Sequence, residues 1–386
     1  MRFRFDPEHE ELRRVIRRLL TESAGPAAVI SREGEPGAFD PALPARLAEI
    51  GVYGLGVPER FGGAGFGLLE LGVVFQEAGR GALGAPLLSP VLAADLLLQA
   101  AGSATAGAGG PAGGILARIA AGELIAAPAI AEGPHGWDVV PATKATAGES
   151  PADWTLDGTK DWVQDGGQAG LFVVCAASPD GPALFAVEAG APGLSVEPVT
   201  TIDLSRRFAR LHLDRTPATA LAVPDALAAV GRTRDRGLAL LSADQVGIAQ
   251  RCLEMAVTWA KERDQFGQAI GSFQAVKHKL ASVRLELEAA ESACMYALWA
   301  ARESPGQFAA AARIAAYTCG EAAVLAAGEN IQVHGGIGAT WEHPAHVYLR
   351  RATAARRLLA DPQALLEDLA KVVEDTVFVS TAVPAA

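Results

Sequence analysis

The sequence predicts a mostly helical fold with a central β domain. A helical domain is expected over residues 1–120, a small antiparallel β domain over 121–222, and a four-helix bundle over 223–386. Three observations carry this. Apolar residues recur at spacings of three and four near both ends of the chain. In the middle the texture changes to short runs with period two, as half-buried strands require, or of continuous β-formers. The 386 residues, half of them apolar and a fifth charged, suffice for two or three domains with a substantial core.

Taken in order, "EELRRVIRRLLTE", "PALPARLAEIG", "GLLELGVVFQEAGR" and "SPVLAADLLLQAAG" read as amphipathic helices, and "VPERFGGAGFG" between them as a proline and glycine loop. "GSATAGAGGPAGG" is expected to be a flexible connector. Its Gly107, Gly109 and Ala112 satisfy G-x-G-x-x-A, but no strand precedes them and a proline interrupts, so dinucleotide binding is not expected there. The runs "DWTLDGTKDWV", "GLFVVCAAS", "ALFAVEA", "LSVEPV" and "ARLHLDRT" read as strands. In the last, Ala209, Leu211 and Leu213 alternate with Arg210, His212 and Asp214. Beyond residue 225, Val246, Ala249, Leu253, Ala256 and Ala260 form one helical stripe, and Phe273, Val276, Leu280, Val283 and Leu287 the next, the pattern of a packed bundle.

The formal charge of −11, with no long basic run, argues against nucleic acid as a partner. Cys175, Cys252, Cys294 and Cys319 lie far apart without a C-x-x-C pair, which indicates neither a zinc knuckle nor a disulfide framework. The start "MRFRFDPEHEELRR" lacks the apolar core of a signal peptide, and no uncharged run approaches the roughly 20 residues of a membrane span. A cytoplasmic protein without a membrane partner is expected.

Two stretches carry candidate chemistry. In "RDQFGQAIGSFQAVKHKLA" one helix is expected to end at Gly267 and another to begin after Ser272. That break holds Arg263, Gln265, Phe266 and Gln274. Read locally, Arg263 would compensate the last carbonyls of a helix and Phe266 would pack as core. In "NIQVHGGIGATWEHPAHVYLRRA", Gln332 precedes the pair Gly335 and Gly336 on an otherwise helical run, where two glycines cost about 1 kcal/mol each in helix propensity. Either the chain turns sharply there or something approaches its backbone.

On these residues the chain resembles the acyl-CoA dehydrogenase family over essentially its whole length. Arg263, Phe266 and Gly267 match the family's R-x-x-F-G turn, Gln274 the F-Q that follows, and Gln332, Gly335 and Gly336 its Q-x-x-G-G-x-G motif. "LAEIGVYGLGVPERFGGAG" is similar to its N-terminal signature. The resemblance implies a homo- or heterotetramer in which one subunit's C-terminal bundle helps hold the FAD of its neighbour. The residue types suit that role. Arg263 offers a planar cationic fork to a diphosphate, Phe266 a flat apolar face, the glutamines paired donors and acceptors, and the glycines approachable backbone N–H groups.

The chain departs from the family pattern in its β domain. The family's T-E-P-x-x-G-S-D segment here reads Ala131, Glu132, Gly133, Pro134, His135, Gly136, Trp137, Asp138, so indole replaces a small hydroxyl. In its W-I-T-N-G segment Trp162 remains, and Gln164 replaces the threonine that meets the flavin. The implied reaction takes a proton beside the thioester carbonyl while hydride leaves the next carbon for the flavin, and a positioned base typically supplies a factor of about 10² to 10⁴. Ungapped matching puts Leu359 at the usual place of that glutamate and Gly237 at the alternative place on an earlier helix, with Leu238 next to it. No catalytic residue is therefore assigned. Asp244 is expected to cap the helix leading to Arg263 or stand in its first turn. Glu342, His343 and His346 are expected in a surface turn rather than around a metal, since Pro344 interrupts the local helix.

Two readings follow. The favoured one is an FAD-sharing, catalytically impaired subunit that completes the cofactor site of a competent paralogue, with acyl-CoA bound at the complex and an electron-transfer flavoprotein or another acceptor taking the electrons. The alternative is a self-sufficient FAD-dependent acyl-CoA dehydrogenase with a relocated base. "IGSFQAVKHKLA" and "HGGIGATWEHPAHVYLRR" are most similar to actinobacterial members of the family, some of which form heterotetramers that dehydrogenate steroid side-chain thioesters.

Overall fold

In the computed structural model, Asp6 caps the first helix by accepting from the N–H groups of Glu8 and His9, at 3.0 and 3.1 Å. The structure describes residues 6–23, 25–31, 40, 42–103, 110–133, 136–137, 140–148 and 153–379. Helix α1 (Pro7–Ser23) buries Ile16, Leu19 and Leu20 and packs on α4 (Leu68–Arg80). Between them lie α2 (Pro26–Ser31) and α3 (Ala42–Glu49), and α5 (Leu88–Ser103) and α6 (Gly110–Ala120) follow. The expected connector is thus partly helix. Gly110–Gly114 form the start of α6, with Ala112, Leu116 and Ile119 buried. Pro111 is tolerated in a first helical turn, and the burial of those side chains outweighs the low propensity of glycine. Gly107 and Gly109 lie outside the described residues.

The strands are β1 (Ala126–Ala129), β2 (Lys144–Ala147), β3 (Trp154–Gln164), β4 (Leu171–Ser178), β5 (Gly181–Glu188), β6 (Leu194–Val199) and β7 (Phe208–Leu221). They form one sheet in which β4, β2, β3, β7 and β5 close into a ring, β5 pairing back to β4 and β6 lying on β7. The sheet is mixed rather than antiparallel throughout, since β1 runs parallel to β4 from Ala126 opposite Leu171 to Ala129 opposite Val174. A parallel pair needs a long crossover, and the chain through β2 and β3 supplies it.

Asp225 then caps α7 (Ala226–Glu262) by accepting from Ala228 N–H at 2.9 Å. Helices α8 (Gln274–Glu303), α9 (Pro305–His334) and α10 (Ala345–Ala355) complete the bundle, and α11 (Pro362–Val379) packs on α9. Helices α4 and α7 touch at their backbones. A Cβ on Gly79 would run into the Asp244 carbonyl, and one on Gly247 into that of Gln76. Helix α9 with the turn after it, Pro305–Ala339, is long and apolar enough by composition to cross a membrane. Its alanines are instead buried against α7, α8 and α10.

The break between α7 and α8 differs from expectation. Helix α7 stops at Glu262, and a two-stranded hairpin follows, β8 (Asp264–Gln265) against β9 (Gln268–Ala269). Phe266 and Gly267 form its two-residue turn with φ of 55° and 78°, the left-handed pair that matches the twist of such hairpins. A 3₁₀ turn at Ile270–Ser272 leads into α8.

Candidate functional site

Both glycine-bearing motifs meet at one end of the bundle. Trp259, on the last turn of α7, accepts the backbone N–H of Arg263 at 2.9 Å and stacks its ring on His334, the last residue of α9, at 5.1 Å. Ala256, Ala260 and Val333 pack beneath, with Ile270, Val276 and Leu280 around them. This small core fixes the hairpin carrying Arg263, Gln265 and Phe266 beside the arm carrying Gln332, Gly335 and Gly336.

The motif side chains all face outward. Arg263, Gln265, Gln274 and Gln332 are exposed. Phe266 is 92% exposed, held in a left-handed conformation that costs a non-glycine residue on the order of 1–3 kcal/mol. It is thus not the core residue that a helix end would make it. Gly335 needs its glycine for a φ of 67°. Gly336 has no such need, and a Cβ on it would meet nothing within 4 Å, so the packing of this chain does not explain its bareness. Helix α8 begins at Gln274 with no side chain capping its first N–H groups. Exposed guanidinium, uncapped helix N-terminus and open glycine backbone form a surface suited to a diphosphate presented from outside the chain.

The β-domain half is built differently. Glu132 accepts from Thr143 Oγ1 at 2.7 Å, from the backbone N–H groups of Ala142 and Thr143 at 2.6 and 3.0 Å, and from the fully buried Lys160 ammonium at 2.5 Å. Burial opposes the charge on Glu132, yet these partners hold its carboxyl below the usual range. Asp161 bridges Gly133 N–H and Arg210, at 2.8 and 2.6 Å. Trp162 follows with a φ of 54° and its ring half exposed. Gln164 spends its amide on Asp165, at 3.3 Å, and its buried Oε1 has no partner. Trp137, at the place of the family's small serine, packs against both the helical core and the core shared by α5, α6 and the sheet. This half does not fit a flavin as the family holds one. Pro134, His135 and Asp138 of the same segment lie outside the described residues.

The two places where a base was sought coincide in space. A Cβ on Gly237 of α7 would overlap the Cδ1 methyl of Leu359 and lie 3.2 Å from both methyls of Leu92. Gly237, Leu238, Leu359 and Leu92 are all buried. The adjoining recess, lined by Tyr53, Leu71, Leu92, Leu98 and Arg236, has a volume of about 20 Å³, room for one water. A larger cleft of about 940 Å³ between α1, α4, α7 and α8 contains none of the motif residues.

Asp244 is neither a cap nor a first-turn acid, since α7 begins eighteen residues earlier, at Ala226. It is buried in mid-helix, where Arg206 reaches its Oδ2 at 2.9 Å and Arg351 pairs with its Oδ1. Burial alone would raise this carboxyl, but the Arg351 and Arg206 guanidiniums outweigh it and hold the group below the ordinary range. Glu342 is exposed, as expected of a surface turn, whereas His346 is buried in α10 and His343 is partly buried against His334. No group of His, Cys, Asp and Glu side chains among the described residues is placed to hold a metal.

Comparison with known proteins bears on all three regions. Residues 6–106 match the family model described as acyl-CoA dehydrogenase, N-terminal domain, residues 127–215 the middle domain, and residues 232–372 the C-terminal domain. A curated relative, acyl-CoA dehydrogenase IpdE2 of Mycobacterium tuberculosis, is 35% identical over 363 residues, covering 94% of this chain and 96% of its own. Among solved structures, a single-site variant of the Tcur3481-Tcur3483 steroid ACAD superposes with a TM-score of 0.85 at 32% identity, covering 96% of this chain and 98% of that one. The ChsE4-ChsE5 complex from Mycobacterium tuberculosis gives 0.84 at 26% identity, covering both chains completely.

Proposed function

From the premise that this chain belongs to the acyl-CoA dehydrogenase family of oxidoreductases, we propose that it is the FAD-sharing, catalytically impaired subunit of a heteromeric acyl-CoA dehydrogenase. Arg263, Gln265, Phe266, Gln274, Gln332, Gly335 and Gly336 hold the diphosphate side of an FAD whose ring is seated in a paralogous partner. The bound cofactor supplies the hydride acceptor for α,β-dehydrogenation of an acyl-CoA thioester, and an electron-transfer flavoprotein or another acceptor reoxidises it. Likeness to the Tcur3481-Tcur3483 steroid ACAD favours a steroid-derived acyl group. Four unpaired, buried cysteines accord with a cytoplasmic setting.

The carrying observation is the meeting of Gly237 and Leu359. Both base positions converge on one spot, and methyl groups of Leu359 and Leu92 lie there, so neither position supplies a carboxylate. A relocated base finds no support at Asp244, whose oxygens are committed to two buried arginines. The test is anaerobic mixing of the isolated chain, with FAD in excess, against saturated acyl-CoA thioesters. No flavin bleaching is expected, and bleaching would overturn the reading. Purification alone and with a co-encoded paralogue should show flavin retained only in the complex.

A further inference from the structure

The arm after α9 returns on itself. From Gly335 it passes through a 3₁₀ turn to Ala339, and Thr340 N–H and Oγ1 both bond the carbonyl of Ile337, at 3.0 and 2.8 Å. Gly338 lies so close to His334 that a Cβ there would sit 3.0 Å from the Cβ of His334. His343 then closes the loop by laying its ring on that of His334, with centroids 4.2 Å apart. Trp259, His334 and His343 thus form one stack that runs from the root of the Arg263 hairpin, under the glycine pair, to the start of α10.

The hydrogen bonds fix the tautomer of His334 and select the neutral form of His343. His334 Nδ1 lies 2.7 Å from the carbonyl of Asn330 and must be its donor, which leaves Nε2 the lone pair. His343 Nδ1 accepts the N–H of Ala345, the first residue of α10, at 3.3 Å, so its proton resides on Nε2. Protonating His343 would turn that acceptor into a second donor facing Ala345 N–H. It would also set a cation at the positive end of α10 and against a second imidazole.

The surroundings offer no compensation. On α10, His346 sits edge-on to Trp341 at 4.6 Å, and the Arg350 guanidinium lies over the same indole at 5.2 Å. Glu342 in the loop, and Lys261 and Glu262 at the end of α7, are exposed, and no ion pair joins any of them to the stack among the described residues. Burial, with His334 and His346 adding to it, holds His343 below the usual imidazole range, and burial does the same to His334.

We propose that neutral His343 is a positioning residue that caps α10 and braces His334, fixing the Gly335–Gly336 turn against a partner-held FAD, and that its protonation frees the turn. The proposal rests on the flavin-sharing reading above. It makes the cofactor grip sensitive to pH through a group that need not touch the cofactor.

The experiment uses the complex with the paralogous subunit, scanned from about pH 8 to about pH 5. Two quantities are followed, FAD retained after gel filtration and hydrogen exchange at the Ala345 amide. In the wild type, Ala345 protection should fall by up to about tenfold per pH unit once one proton binds, with flavin loss in step. His343→Asn supplies an amide oxygen that can still accept from Ala345 N–H and does not titrate. It should hold flavin near neutral pH and flatten both profiles, while His343→Ala should lose both at every pH. Identical profiles for wild type and His343→Asn, or unchanged Ala345 protection across the range, would overturn the brace. Failure of the underlying reading shows separately, as full flavin retention by Arg263→Ala near neutral pH.

Discussion

Asp165 shows how one side chain can oppose the fold that contains it. It follows β3 with a φ of 58°, is buried, and accepts from Ser89 Oγ at 2.5 Å and from the Gln164 amide at 3.3 Å. Burial outweighs those donors and the distant Arg206 charge, pushing its carboxyl up to about 6. The unfolded chain ionises this group near 3.8 and the folded chain only near 6, so raising the pH through that interval favours unfolding. The penalty above it is on the order of 3 kcal/mol. Asp165→Asn should therefore raise the melting temperature of the assembled protein at pH about 7.5, and the gain should vanish as the pH approaches about 4. Thermal unfolding across that range checks it. Asp244 behaves oppositely. Arg351 also donates to the Leu83 carbonyl at 3.0 Å and to Ser205 Oγ at 2.6 Å, and Arg206 pairs with Asp203 at 2.9 Å. One buried cluster thereby ties α7 and α10 to the turn after α4 and the loop before β7. Asp244→Asn would leave the buried Arg351 guanidinium without a carboxylate partner and take one of two from Arg206, and should destabilise the protein by about 3–5 kcal/mol in denaturant titration. A cap would cost about 1 kcal/mol when lost, so the measurement separates the two roles.

At the scale of elements, the hairpin and the arm after α9 should separate stability from function. Arg263→Ala removes a charged donor from an exposed turn and should leave unfolding almost unchanged. FAD retention in the complex should weaken by about 1.5–3 kcal/mol, roughly tenfold to a hundredfold in a flavin titration. Gly336→Leu should behave alike, since a Cβ there meets open space, with stability shifted by no more than about 0.5 kcal/mol and flavin expelled. Unchanged flavin affinity in both would reduce these residues to turn formers. These elements were unequally legible in the sequence. Helices α1, α3, α4 and α5 follow from apolar spacings of three and four, strands β3, β6 and β7 from alternation, and β4 and β5, buried over four or more consecutive residues, from runs of β-formers. Strand β1 escaped because "AAPA" is buried at every position and has no alternation, and β2 because four residues are too few to show one. The hairpin was hidden because Phe266 takes a conformation that propensity disfavours. The glycine pair was visible as an anomaly in a helical run. The closure of the base site was not, because Gly237 and Leu359 meet only through the packing of α7 against the segment after α10.

The whole molecule is asymmetric in what it presents. On the proposed reading the outward grip serves a partner, while Trp137 packs between this chain's own two cores and the methyls of Leu92 and Leu359 lie against Gly237. The bundle also exposes Leu285 on α8, Ile314 and Leu325 on α9, and Trp341 beside the glycine arm, with Phe266 projecting from the hairpin. A symmetric assembly of this chain alone would bring each grip to a seam closed by Trp137, and no competent flavin site would form. An assembly with a paralogue that keeps an open seam would complete flavin sites at half of its positions, those where the partner supplies the β domain. We therefore expect a tetramer of two kinds of subunit, carrying flavin at half of the sites its subunit count would allow. Light scattering combined with flavin absorbance on the co-purified complex measures both quantities. A stable monomer at micromolar concentration would remove the interface, and a flavin on every subunit would show that this chain's own seam opens after all. Trp137→Ser distinguishes blockage from decay. If the indole alone closes the seam, the variant complex should gain flavin towards full occupancy, yet without added turnover, because Leu359 still lies over Gly237.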